Sequence, residues 1–134
     1  MGPYFILGRF DVHCCPRLAI ESSAEGDGTT SNVRKAHPRV FTAYEMEPGM
    51  VNDRHHYTSM EGEFALAYNP ENAAWWIQLE RDRGDLRGLA FVNSSATCVH
   101  DTRDQEWIYA EGSWVPSGPG DIIVRCVSSF HNHV

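Results

Sequence analysis

The sequence has no stretch in which apolar residues keep the 3.6-residue period of an amphipathic helix, so helix is expected to be scarce. It has little positive charge: 11 Lys and Arg stand against 18 Asp and Glu, a formal net charge of -7. Nucleic acid backbones and anionic lipid surfaces both need a basic face, so neither is an expected partner. No apolar run approaches the roughly 20 residues that cross a bilayer as a helix, and membrane insertion is not expected. There is no phosphate loop, no dinucleotide fingerprint and no internal repeat, and no cofactor is expected. The start carries a short apolar patch at 4–7 without the basic residues and longer apolar core of a signal peptide. Either a signal has been removed or the protein is not secreted, and the cysteines have to arbitrate.

What is present is strand chemistry. The 134 residues, 42% hydrophobic and 22% charged, suit one soluble domain. Its centre is the segment 56–92. Phe64, Leu66 and Tyr68 alternate with Ala65, Ala67 and Asn69, the two-residue period of a strand with two faces. A Pro and two Asn make 69–72 a turn. A second strand at 74–79 sets Trp76 and Gln78 against Trp75, Ile77 and Leu79, and Gly84 and Gly88 bracket the next reversal before a third strand at 89–92. Further strands are expected at 16–21, 40–46, 54–59, 107–110, 114–115 and 121–126, with polar loops at 21–35 and 93–105. The expected fold is all-β, a single antiparallel sandwich or barrel-like domain of about eight short strands. Its expected extent is 14–127, between an N-terminal extension (1–13) and a C-terminal tail (128–134).

Four cysteines, Cys14, Cys15, Cys98 and Cys126, allow three disulfide connectivities. Neighbouring residues of a strand point opposite ways, so Cys14 and Cys15 are not expected to pair with each other. One should reach Cys126 and the other Cys98. Four reduced thiols, or a zinc site from Cys14, Cys15, Cys98 and His100, are the competing readings, the latter without paired C-x2-C knuckles. Asn93-Ser94-Ser95 is a glycosylation acceptor at an expected strand end. Cysteines and acceptor together lean towards an extracellular setting.

Several candidates for binding stand out. Trp75 and Trp76 must face opposite sides of one strand, so one of them can be exposed beside Tyr57, Tyr68 or Trp107. Aromatic faces flanked by polar groups suit sugar stacking, whereas coverage on both sides would make these rings core. Arg83-Gly84-Asp85, followed by Leu86, would offer a cation and a carboxylate to an integrin if it sits at a hairpin tip. The bland alternative is a charged turn whose glycine supplies backbone freedom. His55 and His56 should diverge, and His131 and His133 lack an evident third metal ligand. Cys98, His100 and Asp101 lie in one irregular segment, unlike catalytic groups assembled from separate elements, and a disulfide accounts better for Cys98. No enzyme activity is expected.

Cys15, Leu18, Ile20, Tyr44, Tyr57, Phe64, Leu66, Tyr68, Trp76, Ile77, Gly84, Ala90, Trp107, Trp114 and Cys126 recur in a familiar order. The chain resembles the small tyrosine- and tryptophan-rich β-modules of invertebrate secreted and cell-surface proteins. That resemblance implies an extracellular structural or binding module without catalysis. The expected function is protein association or self-association in an assembly or matrix. A carbohydrate-binding module is the alternative, and integrin binding comes third. Intact mass of the protein from its natural source, before and after reduction and alkylation, is expected to show two disulfides and a glycan on Asn93. Four free thiols and no glycan would overturn the extracellular setting.

Overall fold

The structure, a computed structural model, describes residues 14–23, 31–102 and 104–127. The expected extension, the tail with His131 and His133, and the middle of the 21–35 segment lie outside the described residues. Nine strands form among the described residues: β1 (Arg17–Glu21), β2 (Ala43–Met46), β3 (Tyr57–Ser59), β4 (Phe64–Asn69), β5 (Ala74–Leu79), β6 (Ala90–Asn93), β7 (Ile108–Ala110), β8 (Trp114–Pro116) and β9 (Ile123–Cys126). All pair antiparallel in one sheet of order β8-β7-β6-β5-β4-β3-β2-β1-β9. The all-β expectation holds, in its barrel-like form rather than as two stacked sheets.

Chain length explains why the sheet curls. From Pro116 at the end of β8 to Ile123 at the start of β9 are seven residue steps, about 25 Å when fully extended. Nine strands laid flat would hold these two edges about 38 Å apart. The sheet therefore bends into a half-barrel, and the connection crosses its mouth. Ser117 N–H donates to the Trp107 carbonyl (2.8 Å), Ser23 N–H donates to the Gly120 carbonyl (2.9 Å), and Ile122 is buried.

The two-residue period supplies the interior. Leu66 pairs with Ile77 and Tyr68 with Trp75, and the register continues through Ala90 and Val92 on β6 to Tyr109 on β7. On the other flank Tyr57 pairs with Leu66, Tyr44 with Ser59, and Leu18 with Tyr44. These inward residues, with Trp107 and Val124, make one hydrophobic core. Two buried hydroxyls are satisfied by backbone: Tyr44 donates to the Val40 carbonyl (2.9 Å) and Tyr57 to that of Cys15 (2.7 Å). Burial pushes both phenols well above the ordinary tyrosine range, with Glu63 adding to the effect at Tyr44.

Two strands start three residues later than the sequence expectation, and one expected loop contains a helix. The strand expected from 40 begins at Ala43, because Pro38 opens a 3-10 turn over Pro38–Val40. The strand expected from 54 begins at Tyr57. Before it, Val51 and Arg54 form an isolated bridge across Asn52 and Asp53, which take left-handed φ values of 53° and 65°. Segment 21–35 is not loop throughout: the Ser31 side chain accepts from Arg34 N–H (3.1 Å) and caps a five-residue helix, Asn32–Ala36, that buries Val33.

Both disulfides form, Cys14 with Cys98 and Cys15 with Cys126, at Cα separations of 5.3 and 5.7 Å. The second ties the segment before β1 to the end of β9, and each closes a loop long enough to contribute about 4 to 5 kcal/mol in the chain-entropy model. Replacing Ile122 by Ala tests the closure. A loop residue that plugs the barrel should cost about 2 to 5 kcal/mol, as a core aliphatic does, read as a lower urea midpoint at unchanged slope. A loss near zero would mean that the mouth is open.

Candidate binding face

Five aromatics were candidates for an exposed face, and all five are buried: Tyr57, Tyr68, Trp75, Trp76 and Trp107. Four of them point into the barrel. Tyr68 and Trp75 pack with centroids 5.6 Å apart, Trp75 Nε1 donates to the Ala96 carbonyl (2.9 Å), and the Arg54 guanidinium lies 4.2 Å above the Tyr68 ring. The sheet covers these rings from one side and the connecting segments from the other. None of them offers a face to a sugar.

Trp76 is the exception in direction, since it projects from the outer surface of β5. It is covered there for local reasons. Its cross-strand partner is Phe91, with ring centroids 4.9 Å apart, and its Nε1 points to Asn72 Oδ1 (3.4 Å). Gly88 lies so close that a Cβ would fall 2.9 Å from Trp76 Cε3 and 2.6 Å from the Ile77 carbonyl oxygen. Only glycine fits there. The third ring is Trp114 on edge strand β8. Its cross-strand partner Ala110 presents only a methyl group, so the indole reaches across β7 to Phe91 (5.1 Å, 78°) and Trp76 (5.9 Å, 74°). Both contacts are edge-to-face, the arrangement that ring quadrupoles favour. Trp114 stays 49% exposed, with half-buried Ile108 and exposed Pro116 beside it on the same outer face.

The Arg83-Gly84-Asp85 motif is not a hairpin tip. The chain from Glu80 to Gly88 folds back over the outer face of β4 and β5 as a strap. Gln78, fully buried, organises it: Nε2 donates to the Asp85 (3.2 Å) and Arg87 (2.6 Å) carbonyls, and Oε1 accepts from Gly84 N–H (2.8 Å). Asn69 and Asn52 both donate to the Gly84 carbonyl (2.8 and 3.2 Å). Gly84 takes φ +85°, and a Cβ there would meet Val51 at 2.8 Å. The expected hairpin tip is thus corrected: polar side chains of β4 and β5 capture the loop's backbone. Arg83 turns inward, pairing with Glu80 and donating to Thr58 Oγ1 (2.6 Å), the Tyr57 carbonyl (3.2 Å) and His56 Nδ1 (2.6 Å). Only 15% of its side chain is exposed. Asp85 and Leu86 face solvent, so the carboxylate is presented and the cation is not.

No protein-family model, curated protein or solved structure matches this chain.

The other candidates fall as follows. Asn93 is exposed at the end of β6, with its carbonyl accepting from Gln105 Nε2 (3.3 Å). Cys98 is bonded to Cys14 and carries no thiol, so Cys98, His100 and Asp101 do not form a nucleophilic set. Trp114 and Phe91 were not singled out as binding residues. The available signal was the alternation of Phe91 with Ala90 and Val92, which puts it outward beside Trp76 once the β5–β6 register is known.

His56 holds the strap through a neutral imidazole: Nδ1 accepts from Arg83, leaving Nε2 to donate to the Pro48 carbonyl (3.3 Å). Burial first, then the Arg83 charge, lowers its pKa, against the opposing pull of the Pro48 carbonyl, Glu47 and Glu80. The unfolded imidazole titrates near about 6.5. This contribution to stability is therefore full above that pH and is lost as pH falls below it, because the unfolded chain takes up the proton first. Urea midpoints at about pH 7.5 and about pH 5.5, either side of that value, should show a drop that His56→Gln reduces. An identical drop in the variant would remove His56 from the account.

Proposed function

We propose that this protein is a non-catalytic extracellular module that associates with protein partners, or with further copies of itself, through the outer aromatic face of β5 to β8. The exposed Trp114 indole carries this reading. A tryptophan half open to solvent, held rigid by Trp76 and Phe91, is pre-ordered at little entropic cost and resembles the anchors of protein interfaces. Ile108 on β7 and Pro116 on β8, paired across the two strands, add an apolar rim. Two disulfides suit an oxidising compartment, and the exposed Asn93 acceptor agrees with it. The resemblance to tyrosine- and tryptophan-rich extracellular modules points the same way.

The same exposed indole favours a second reading, stacking on a sugar ring, in which Trp114 takes the place of the buried aromatics. Integrin binding through residues 83–85 has less support, because Arg83 is committed within the fold.

Sedimentation velocity over a range of concentrations, for the wild type and Trp114→Ala, separates these readings. Association through this face predicts oligomers that the substitution weakens by about 30-fold or more, the loss of about 2 kcal/mol that marks an interface anchor. A monomer whose tryptophan fluorescence shifts with added glycan, and loses that shift in the variant, would replace association by sugar binding. Oligomers untouched by Trp114→Ala would place the interface elsewhere and overturn the proposal.

A further inference from the structure

The two disulfides lie side by side, and a histidine stands against one of them. Cys14 and Cys15 are adjacent in the chain, and Cys98 precedes His100 by two residues in the segment that enters the 3-10 turn Val99–Thr102. This turn packs beside β9 and so brings His100 to Cys126. The sulfurs of Cys15 and Cys126 and one ring nitrogen of His100 all lie within 4.8 Å of one another. The imidazole is mostly covered, with 18% of its side chain exposed. Its two nitrogens have different surroundings. Nε2 lies 3.5 Å from the Asp101 carboxylate, whereas Nδ1 is buried and has no hydrogen-bond partner among the described residues.

A buried imidazole nitrogen without a partner costs free energy and calls for a reason. Asp101 provides half of one. A carboxylate at Nε2 favours the tautomer with its proton there and leaves the Nδ1 lone pair free, the second-shell arrangement that orients histidine ligands of metal ions. While Cys15 and Cys126 are joined, their sulfurs carry no negative charge and cannot serve as thiolate ligands. Reduction changes that.

We propose that Cys15, Cys126 and His100 form a zinc site that opens when the Cys15–Cys126 disulfide is reduced. A dithiol supplies two electrons and two protons: the S–S bond breaks, two thiols form, and the dithiol leaves as its own disulfide. The zinc ion then displaces one proton from each thiol and takes two thiolates and the Nδ1 lone pair. A fourth position is left for water, or for a thiolate of Cys14 or Cys98 when that second disulfide is also cut. Thiolate and imidazole are the ligands that zinc favours over calcium or magnesium, at about 2.3 Å to sulfur and about 2.0 Å to nitrogen. The two sulfurs and a ring nitrogen of His100, already within 4.8 Å of one another, need only the modest adjustment that loss of the S–S bond allows. The ion would hold the segment before β1 to the end of β9, as the disulfide does in the oxidised protein.

The test uses the full chain, oxidised or reduced with a phosphine, which binds zinc weakly, under anaerobic conditions. Zinc is titrated against a chromophoric chelator, and cobalt(II) serves as the spectroscopic probe. Reduced wild type is expected to bind one equivalent of zinc, to show a thiolate-to-cobalt charge-transfer band with tetrahedral d–d intensity, and to recover near-ultraviolet circular dichroism. The oxidised protein should do none of these. His100→Ala should lose more than the roughly 100-fold in affinity that removal of a mere second-shell partner costs, while its oxidised form keeps the wild-type spectrum. Cys14→Ala/Cys98→Ala, which leaves the other pair intact, should still bind zinc on reduction. Equal zinc binding by reduced wild type and His100→Ala would mean adventitious chelation by thiols and would overturn the site. So would the absence of any gain on reduction.

Discussion

Nine strands in one sheet leave two edges, and seven residue steps of chain have to join strands that lie at those opposite edges. That single restriction curls the sheet, since the connection is too short for a flat one. Curling turns the inner face of the pleat into an enclosed core. The same alternation that would line one side of an open sheet here fills a half-barrel with Tyr44, Tyr57, Leu66, Trp75, Ile77 and Trp107. The connection, with Ile122 beneath it, then plugs the mouth, and the bond from Cys15 to Cys126 links the first segment to the last strand.

An inward face satisfied in this way leaves the outer surface as the place where sequence and structure still trade. Over β4 and the Gln78 end of β5 the outer side chains are small or amide-bearing: Ala65, Ala67, Asn69 and Gln78. They admit the strap from Glu80 to Gly88 and hold it by its carbonyl and amide groups rather than by its side chains. This explains why the arginine and aspartate of the Arg83-Gly84-Asp85 motif part company. Backbone capture fixes Gly84, and Arg83 is then directed at His56, Thr58 and Glu80. Past the strap, from Trp76 across Phe91 and Ile108 to β8, the outer face carries an aromatic and apolar row, and the last of it, Trp114, is half open to solvent. The bare part of the surface is thus where the strap ends.

The cysteine cluster shows the same relation between local chemistry and distance. Adjacent cysteines diverge, so any bridges that Cys14 and Cys15 form have to be long-range ones. The pairing was open between Cys14 and Cys15. It is decided by which of them lies beside β9, and Cys15 does, next to Pro16 and the start of β1, whose Leu18 pairs with Cys126. The position of His100 follows from the turn that packs against the same strand.

The sequence by itself determined the class of fold, most strand positions and their inner and outer residues, because a period of two is a local property written in each segment. It also made Trp75 and Trp76 face opposite ways. Strand starts at Ala43 and Tyr57 were less legible, since Pro38 and the left-handed pair Asn52 and Asp53 hold the preceding residues in turns. Only the tertiary structure decided which aromatic is open to solvent, whether the arginine of residues 83–85 is presented, and how the cysteines pair. Each depends on what covers a residue from a distant part of the chain, and coverage is set by register and closure, which no local spacing records.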